Sequence, residues 1–169
     1  MMDYIVTMAQ YNQWMNRKVY EVAANLSDNQ RVADRGAFFK SVQATLGHLI
    51  WADKMWMSRF LNRPEYVIER STIDELSFAD MKELRFEIDA EILQWAETVK
   101  ETWLASDLIW TSQMYQKTFT RPVLLCVMQL FNHQTHHRGQ VTTLLTQYGL
   151  DVGVTDLPLI PQFLEYGEN

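Results

Sequence analysis

The chain has 169 residues, 47% hydrophobic and 21% charged, the balance of one globular domain large enough to bury a core. Its net charge of -6 and the lack of any basic stripe argue against sequence-independent nucleic-acid binding, which needs a cationic surface to displace counterions. The single cysteine, Cys126, excludes an internal disulfide, and the longest strongly apolar run, residues 123–128, is too short to span a bilayer.

The opening Met1-Met-Asp-Tyr-Ile-Val lacks the basic and apolar regions of a signal peptide. The expected location is therefore cytoplasmic, with neither a membrane nor a nucleic acid as partner. Residues 3–26 then show helical periodicity, with Ile5, Met8, Met15, Val19, Val22 and Leu26 on one stripe. Asn12 lies within that stripe, where a buried amide must find a partner. It either braces helix packing or lines a polar pocket.

A second helix is predicted over residues 41–61, rich in Leu46, Leu49, Ile50, Trp51, Met55, Trp56 and Phe60. His48 sits at the margin of its apolar surface, and the small Gly47 and Ala52 are expected to leave room around the ring. Asp53, the nearest carboxylate, points well away from His48 at about 100° of rotation per residue. Residues 62–72 read as a loop.

The third helix is predicted to start at the N-cap Ser77 and to carry its stripe from Phe78 through Ile88 and Trp95 to Val99 and Trp103. Residues 108–121, with Trp110, Thr111, Tyr115, Thr118, Phe119 and Thr120, favour extended structure and predict a short β-hairpin with no glycine in its turn. A fourth helix follows Pro122 and is capped at Gly149, and residues 151–169 form an irregular tail with Pro158 and Pro161. Four amphipathic helices predict an all-α four-helix bundle, a single domain over residues 1–169, with the hairpin inserted between helices three and four.

Three of the four histidines fall in His133-Gln-Thr-His136-His137. Residues four apart share a helix face, so His133 and His137 project together while His136 points away from the apolar arc of Val127, Leu130, Val141 and Leu144. Two neutral imidazoles on an inward face need partners. A shared metal ion is one, and a packed histidine bonded to a carbonyl is the alternative. His48, the remaining histidine, is the available third nitrogen, and three imidazoles leave a coordination position open.

Other constellations are absent. No Glu-x-x-His pair of the di-iron kind, no His-Glu-x-x-His and no glycine-rich phosphate loop occur, and Cys126 reads as a buried inert thiol.

At these residues the sequence resembles the DinB family, damage-inducible-protein-like four-helix bundles that include bacillithiol S-transferases. The resemblance rests on Tyr11-Asn-Gln-Trp14-Met-Asn16, on Leu46-Gly-His48-Leu49 with Trp51-Ala52, and most specifically on Asn132-His-Gln-Thr-His-His-Arg-Gly-Gln140. It implies His48, His133 and His137 as ligands of a divalent transition ion, zinc or nickel, and a homodimeric assembly. Within the same motif Gly139 is expected to permit close helix approach and Arg138 to pair with a carboxylate from another element.

The resemblance also implies a metal-dependent transferase acting on a low-molecular-weight thiol, its small-molecule substrate. A pocket lined by Tyr11, Asn12 and Trp51 is expected beside the metal, and no residue is singled out as a catalytic base. A metal-dependent hydrolase and a non-catalytic metal-binding stress-response protein are the alternatives. Independently, six tryptophans, nine methionines and eight phenylalanines exceed what four core stripes can hold, which also points to a homodimer.

Overall fold

The computed structural model describes residues 2–113 and 115–163. Its frame is four long helices, α1 (Met2–Ala23), α3 (Val42–Phe60), α5 (Phe78–Thr98) and α7 (Val123–Thr146), accompanied by the short α2 (Asp28–Val32), α4 (Arg70–Asp74) and α6 (Glu101–Leu104). A two-stranded antiparallel hairpin, β1 (Asp107–Ser112) and β2 (Lys117–Pro122), is inserted before α7. The fold is thus the predicted four-helix bundle with its hairpin. In it α1 packs chiefly on α5 and α7, and α3 on α7 and α5, so α1 and α3 occupy opposite corners.

Helix ends follow local chemistry. Ser41 caps α3 by accepting from the Ala44 amide at 3.1 Å, and Ser77 caps α5 by accepting from the Asp80 amide at 3.1 Å. At the end of α7, Gly149 takes a left-handed φ of 72°, and the Leu150 amide reaches back to the Leu145 carbonyl at 3.2 Å. That six-residue closure satisfies an end carbonyl that would otherwise be orphaned.

Three segments depart from the sequence reading. The first helix stops at Ala23 rather than Leu26, because Ser27 and Gln30 form a reciprocal capping box that starts α2. The third helix breaks at Val99, whose ψ of 137° is extended. The break lets Trp103 turn back and pack on Phe60 and Trp95, at ring distances of 5.7 and 6.1 Å. The predicted loop at residues 62–72 contains a 3₁₀ turn, Pro64–Tyr66, and the start of α4.

The hairpin pairs Trp110 with Phe119, whose rings stack at 5.3 Å, and Thr111 with Thr118. Its glycine-free turn is closed by Gln116 at a positive φ of 48°. Of the expected irregular tail, residues 164–169 lie outside the described residues. The described part folds back over α1, burying Val152 and Ile160, and the Tyr11 hydroxyl donates to the Thr155 carbonyl at 2.7 Å.

A polar layer crosses the centre of the bundle. Arg85 on α5 bonds Asp53 of α3 at 2.7 Å and pairs with Asp89 at 2.9 Å. Asn16 on α1 donates to both Asp89 oxygens, at 2.9 and 3.1 Å. Gln134 on α7 donates to Asp53, and its carbonyl accepts from Arg138 at 3.1 Å. All six side chains are buried, so one network ties the four long helices together at a single height. Buried charges with one partner missing are costly, so a shift of helix register that separated these partners would be penalised.

Candidate metal centre

Two helices supply the three histidines that the sequence singles out. His48 lies on α3, and His133 and His137 lie one turn apart on α7. One potential ligand atom from each converges so that all three lie within 4.8 Å of one another. The Nε2 atoms of His48 and His133 face each other at 3.0 Å. Around a tetrahedral ion with Zn–N bonds of about 2.0–2.1 Å, nitrogens sit roughly 3.3 Å apart, so this separation is close to that of two ligands on one ion.

Two of the three rings are held from behind or from the side. The Nδ1 of His137 meets Gln140 Oε1 at 2.7 Å, which orients the ring and leaves Nε2 for an ion. Gln140 is set in turn by His136, 3.3 Å from its amide nitrogen. His136 itself is exposed and outside the cluster, as the helical phasing predicts. Phe39 stacks on His48 at a ring distance of 4.0 Å and lies 5.4 Å from His137. The Nδ1 of His133 is buried without a hydrogen-bond partner among the described residues, and the facing Nε2 atoms of His48 and His133 can share either one N–H proton or a cation.

The electrostatics favour neutral rings. Burial, and then the charges of His133 and His137, pull the His48 pKa down to about 3. Burial and then the neighbouring His137 and His136 bring His133 to about 4, and burial lowers His137. Neutral imidazoles present the lone pairs that a metal requires. Among the described residues, no carboxylate is one of the groups that act on these three rings. Asp53, only five residues after His48, turns into the bundle toward Arg85 and Gln134.

The other expected residues are more dispersed. The Trp51 ring lies 6.0 Å from that of His48. Tyr11 is buried with its hydroxyl committed to Thr155 and its ring 5.3 Å from the Arg138 guanidinium. Asn12 is buried, and neither its amide nitrogen nor its oxygen has a hydrogen-bond partner among the described residues. The two larger surface grooves are lined by other side chains.

Two expectations drawn from the family motif are corrected. A Cβ at Gly139 would meet nothing within 4 Å, so Gly139 mediates no close helix approach. That role falls to Gly47, where a Cβ would lie 3.2 Å from Ile73 Cγ2 and 3.5 Å from Met81 Cε. Its bare backbone therefore admits α4 and α5 rather than making room for the His48 ring. Arg138 bonds no carboxylate; it donates to Gln134 and Thr135, because Arg85 already occupies Asp53 and Asp89.

Phe39 was not singled out by sequence, nor was the rest of residues 27–40. Its signal was an aromatic pair, Phe38-Phe39, in a short segment after Gly36, where a loop gains little from exposed rings unless they cover something.

A four-helix bundle with three neutral imidazoles converging across one helix seam defines a protein built to hold a divalent metal ion. The chain belongs to the DinB family, whose sequence profile matches residues 1–165. It is 22% identical to Protein DinB of Bacillus subtilis (strain 168), a similarity that covers 94% of each chain. No solved structure matches the chain significantly. No helix among the described residues is long and apolar enough to cross a membrane.

Proposed function

We propose that the protein is a metal-dependent transferase that joins a low-molecular-weight thiol to an electrophile, with zinc or nickel held by His48, His133 and His137. The observation that carries this reading is a three-imidazole cluster on which no carboxylate among the described residues acts. Hydrolysis normally draws on a nearby general base, and the nearest acid in sequence, Asp53, is committed to the bundle interior. A divalent ion held by three neutral ligands keeps its full charge and acidifies a thiol that joins it, so no protein base is required.

The side chains of this chain do the positioning. Gln140 fixes the tautomer and tilt of His137, the central polar layer holds α7 in register with α3, and Phe39 shields one side of the cluster from water. With a haloaromatic electrophile, a carbon–sulfur bond forms, the carbon–halogen bond breaks, the halide leaves and the thiol proton passes to the buffer.

The test is a panel of bacillithiol, glutathione and cysteine with 1-chloro-2,4-dinitrobenzene. Metal-loaded protein, metal-free protein and His137→Ala are compared, and elemental analysis of each sample identifies the ion. The reading expects thiol-dependent product formation with the loaded protein alone. Equal rates across the panel for all three samples would instead support a non-catalytic metal protein, in which an ion bridging α3 and α7 secures the bundle.

A further inference from the structure

We propose that the groove beside Phe39 is the binding site for the second reactant, and that this reactant is a small organic anion with an apolar or aromatic body. The proposal rests on the transferase reading above but uses different side chains from those that hold the metal. The groove has a volume of about 540 Å³, within the range of small-molecule sites. Its lining includes Phe38, Phe39, Lys40, Arg70, Asp74 and Met81.

Phe39 joins this groove to the metal centre. It lines the groove and also stacks on His48, so a molecule seated against Phe39 lies one ring away from the histidine cluster. Phe38 packs edge-on against Phe39 at 4.8 Å yet is 82% exposed. A phenyl ring so exposed contributes little to folding, but beside a groove it offers a surface for an apolar body.

The polar side of the groove selects for negative charge. Arg70 is held by two bonds, from Nε to Asp74 at 2.9 Å and from Nη2 to the Ala44 carbonyl at 3.0 Å. Its Nη1 has no bonded partner among the described residues, so a pre-oriented guanidinium edge remains for a ligand. Lys40, at a left-handed φ of 68°, adds a second cation that forms no ion pair among the described residues. Asp74 offsets one of these charges, leaving the groove positive on a chain whose net charge is -6. Gly47 lets α4, which carries Arg70, pack close to α3, since a Cβ there would sit 3.2 Å from Ile73 Cγ2. The apolar groove near the hairpin, of about 410 Å³, is by contrast lined by none of the rings that touch the histidines.

The experiment titrates benzoate, and benzamide as its neutral counterpart, into zinc-loaded and metal-free protein, followed by two-dimensional NMR. Benzoate should shift resonances of Phe38, Phe39 and Arg70 in both forms and bind about tenfold more tightly than benzamide, because a charge-assisted hydrogen bond is lost with the amide. Arg70→Gln should weaken benzoate about tenfold, Arg70→Lys should restore part of the loss, and Asp74→Asn should tighten binding by removing a negative charge while its Oδ1 can still accept from Arg70 Nε. Unfolding curves for each variant separate binding loss from misfolding, and the gain in Asp74→Asn cannot arise from a damaged fold. Equal affinity for benzoate and benzamide, or an unchanged affinity in Arg70→Gln, would overturn the proposal. Zinc-dependent binding insensitive to Arg70 would place the carboxylate on the ion, overturning the groove but not the metal reading. Binding as expected, with thiol transfer indifferent to metal, would keep the groove and overturn the transferase.

Discussion

Replacing Arg85 by methionine should separate the stability of the bundle from the chemistry of its metal centre. Arg85 is the cation ion-paired with both Asp53 and Asp89, and all three groups are at most 2% exposed. Methionine keeps much of the stem volume, so the principal loss is charge pairing rather than packing. Asp53 would retain the Gln134 amide and Asp89 the Asn16 amide, but neither carboxylate would keep a paired cation. Breaking a buried pair by removing one partner costs about 3–5 kcal/mol. A domain of this kind has roughly 5–15 kcal/mol in total, so the variant should fold but with a much lower urea midpoint.

The cost should also depend on pH in a defined direction. Burial already pushes the Asp89 pKa up to about 6, against the opposing pull of Arg85, and burial likewise raises Asp53. Without Arg85 both carboxyls hold protons more tightly, so the folded state binds more protons than the unfolded one. Stability from such a group is present at low pH and lost as pH rises through the folded pKa. Urea unfolding of metal-free protein at pH 7.5 and 5.5 should therefore show the larger deficit at 7.5. The triple variant Asp53→Asn, Arg85→Met, Asp89→Asn, which removes all three charges, should regain most of the loss. A deficit below about 1 kcal/mol at pH 7.5, or one equal at the two pH values, would refute the reasoning.

The remaining expectations concern the metal centre and the assembly. Elemental analysis should find one divalent ion per chain, largely lost in His48→Ala, His133→Ala and His137→Ala but retained in His136→Ala, whose ring lies outside the cluster. Gln140→Leu, which removes the acceptor behind His137 Nδ1, should weaken zinc about 10- to 100-fold in a chelator competition while the melting curve of the metal-free form barely moves. Metal-free protein should lose stability as pH falls from 6.5 through about 4 toward about 3, because His133 and His48 are held neutral when folded and must take up protons to reach the unfolded state. Asp89 opposes this loss between about 6 and 3.8, and acid titration of His48→Gln should give a shallower decline than wild type. The expected homodimer would cover exposed Ile109, Leu125 and Met128. Light scattering at micromolar concentration should give twice the chain mass of 19.9 kDa, with Met128→Glu reverting to monomer, and a monomeric wild type would remove the claim.

Sequence alone determined what depends on spacing along one element. The period of apolar residues defined four helices, Ser41 and Ser77 marked two of their starts, and Gly149 marked an end, because capping and periodicity are settled within a few neighbouring residues. The same local geometry placed His133 and His137 on one face and His136 off it. The capping box of Ser27 and Gln30 was equally legible, although α2 was not assigned from it. Tertiary structure decided what depends on which elements meet. That His48 reaches the α7 pair follows from α3 and α7 sharing a seam, and nothing in either helix by itself sets that distance. Asp53 read only as a carboxylate pointing away from His48, and Arg138 as a motif residue, until the opposing Arg85 and Gln134 show them to be members of one buried layer. Gly139 lost its expected packing role and Gly47 gained it for the same reason: a missing side chain acquires meaning only from the atoms across the gap, and those atoms belong to α4 and α5.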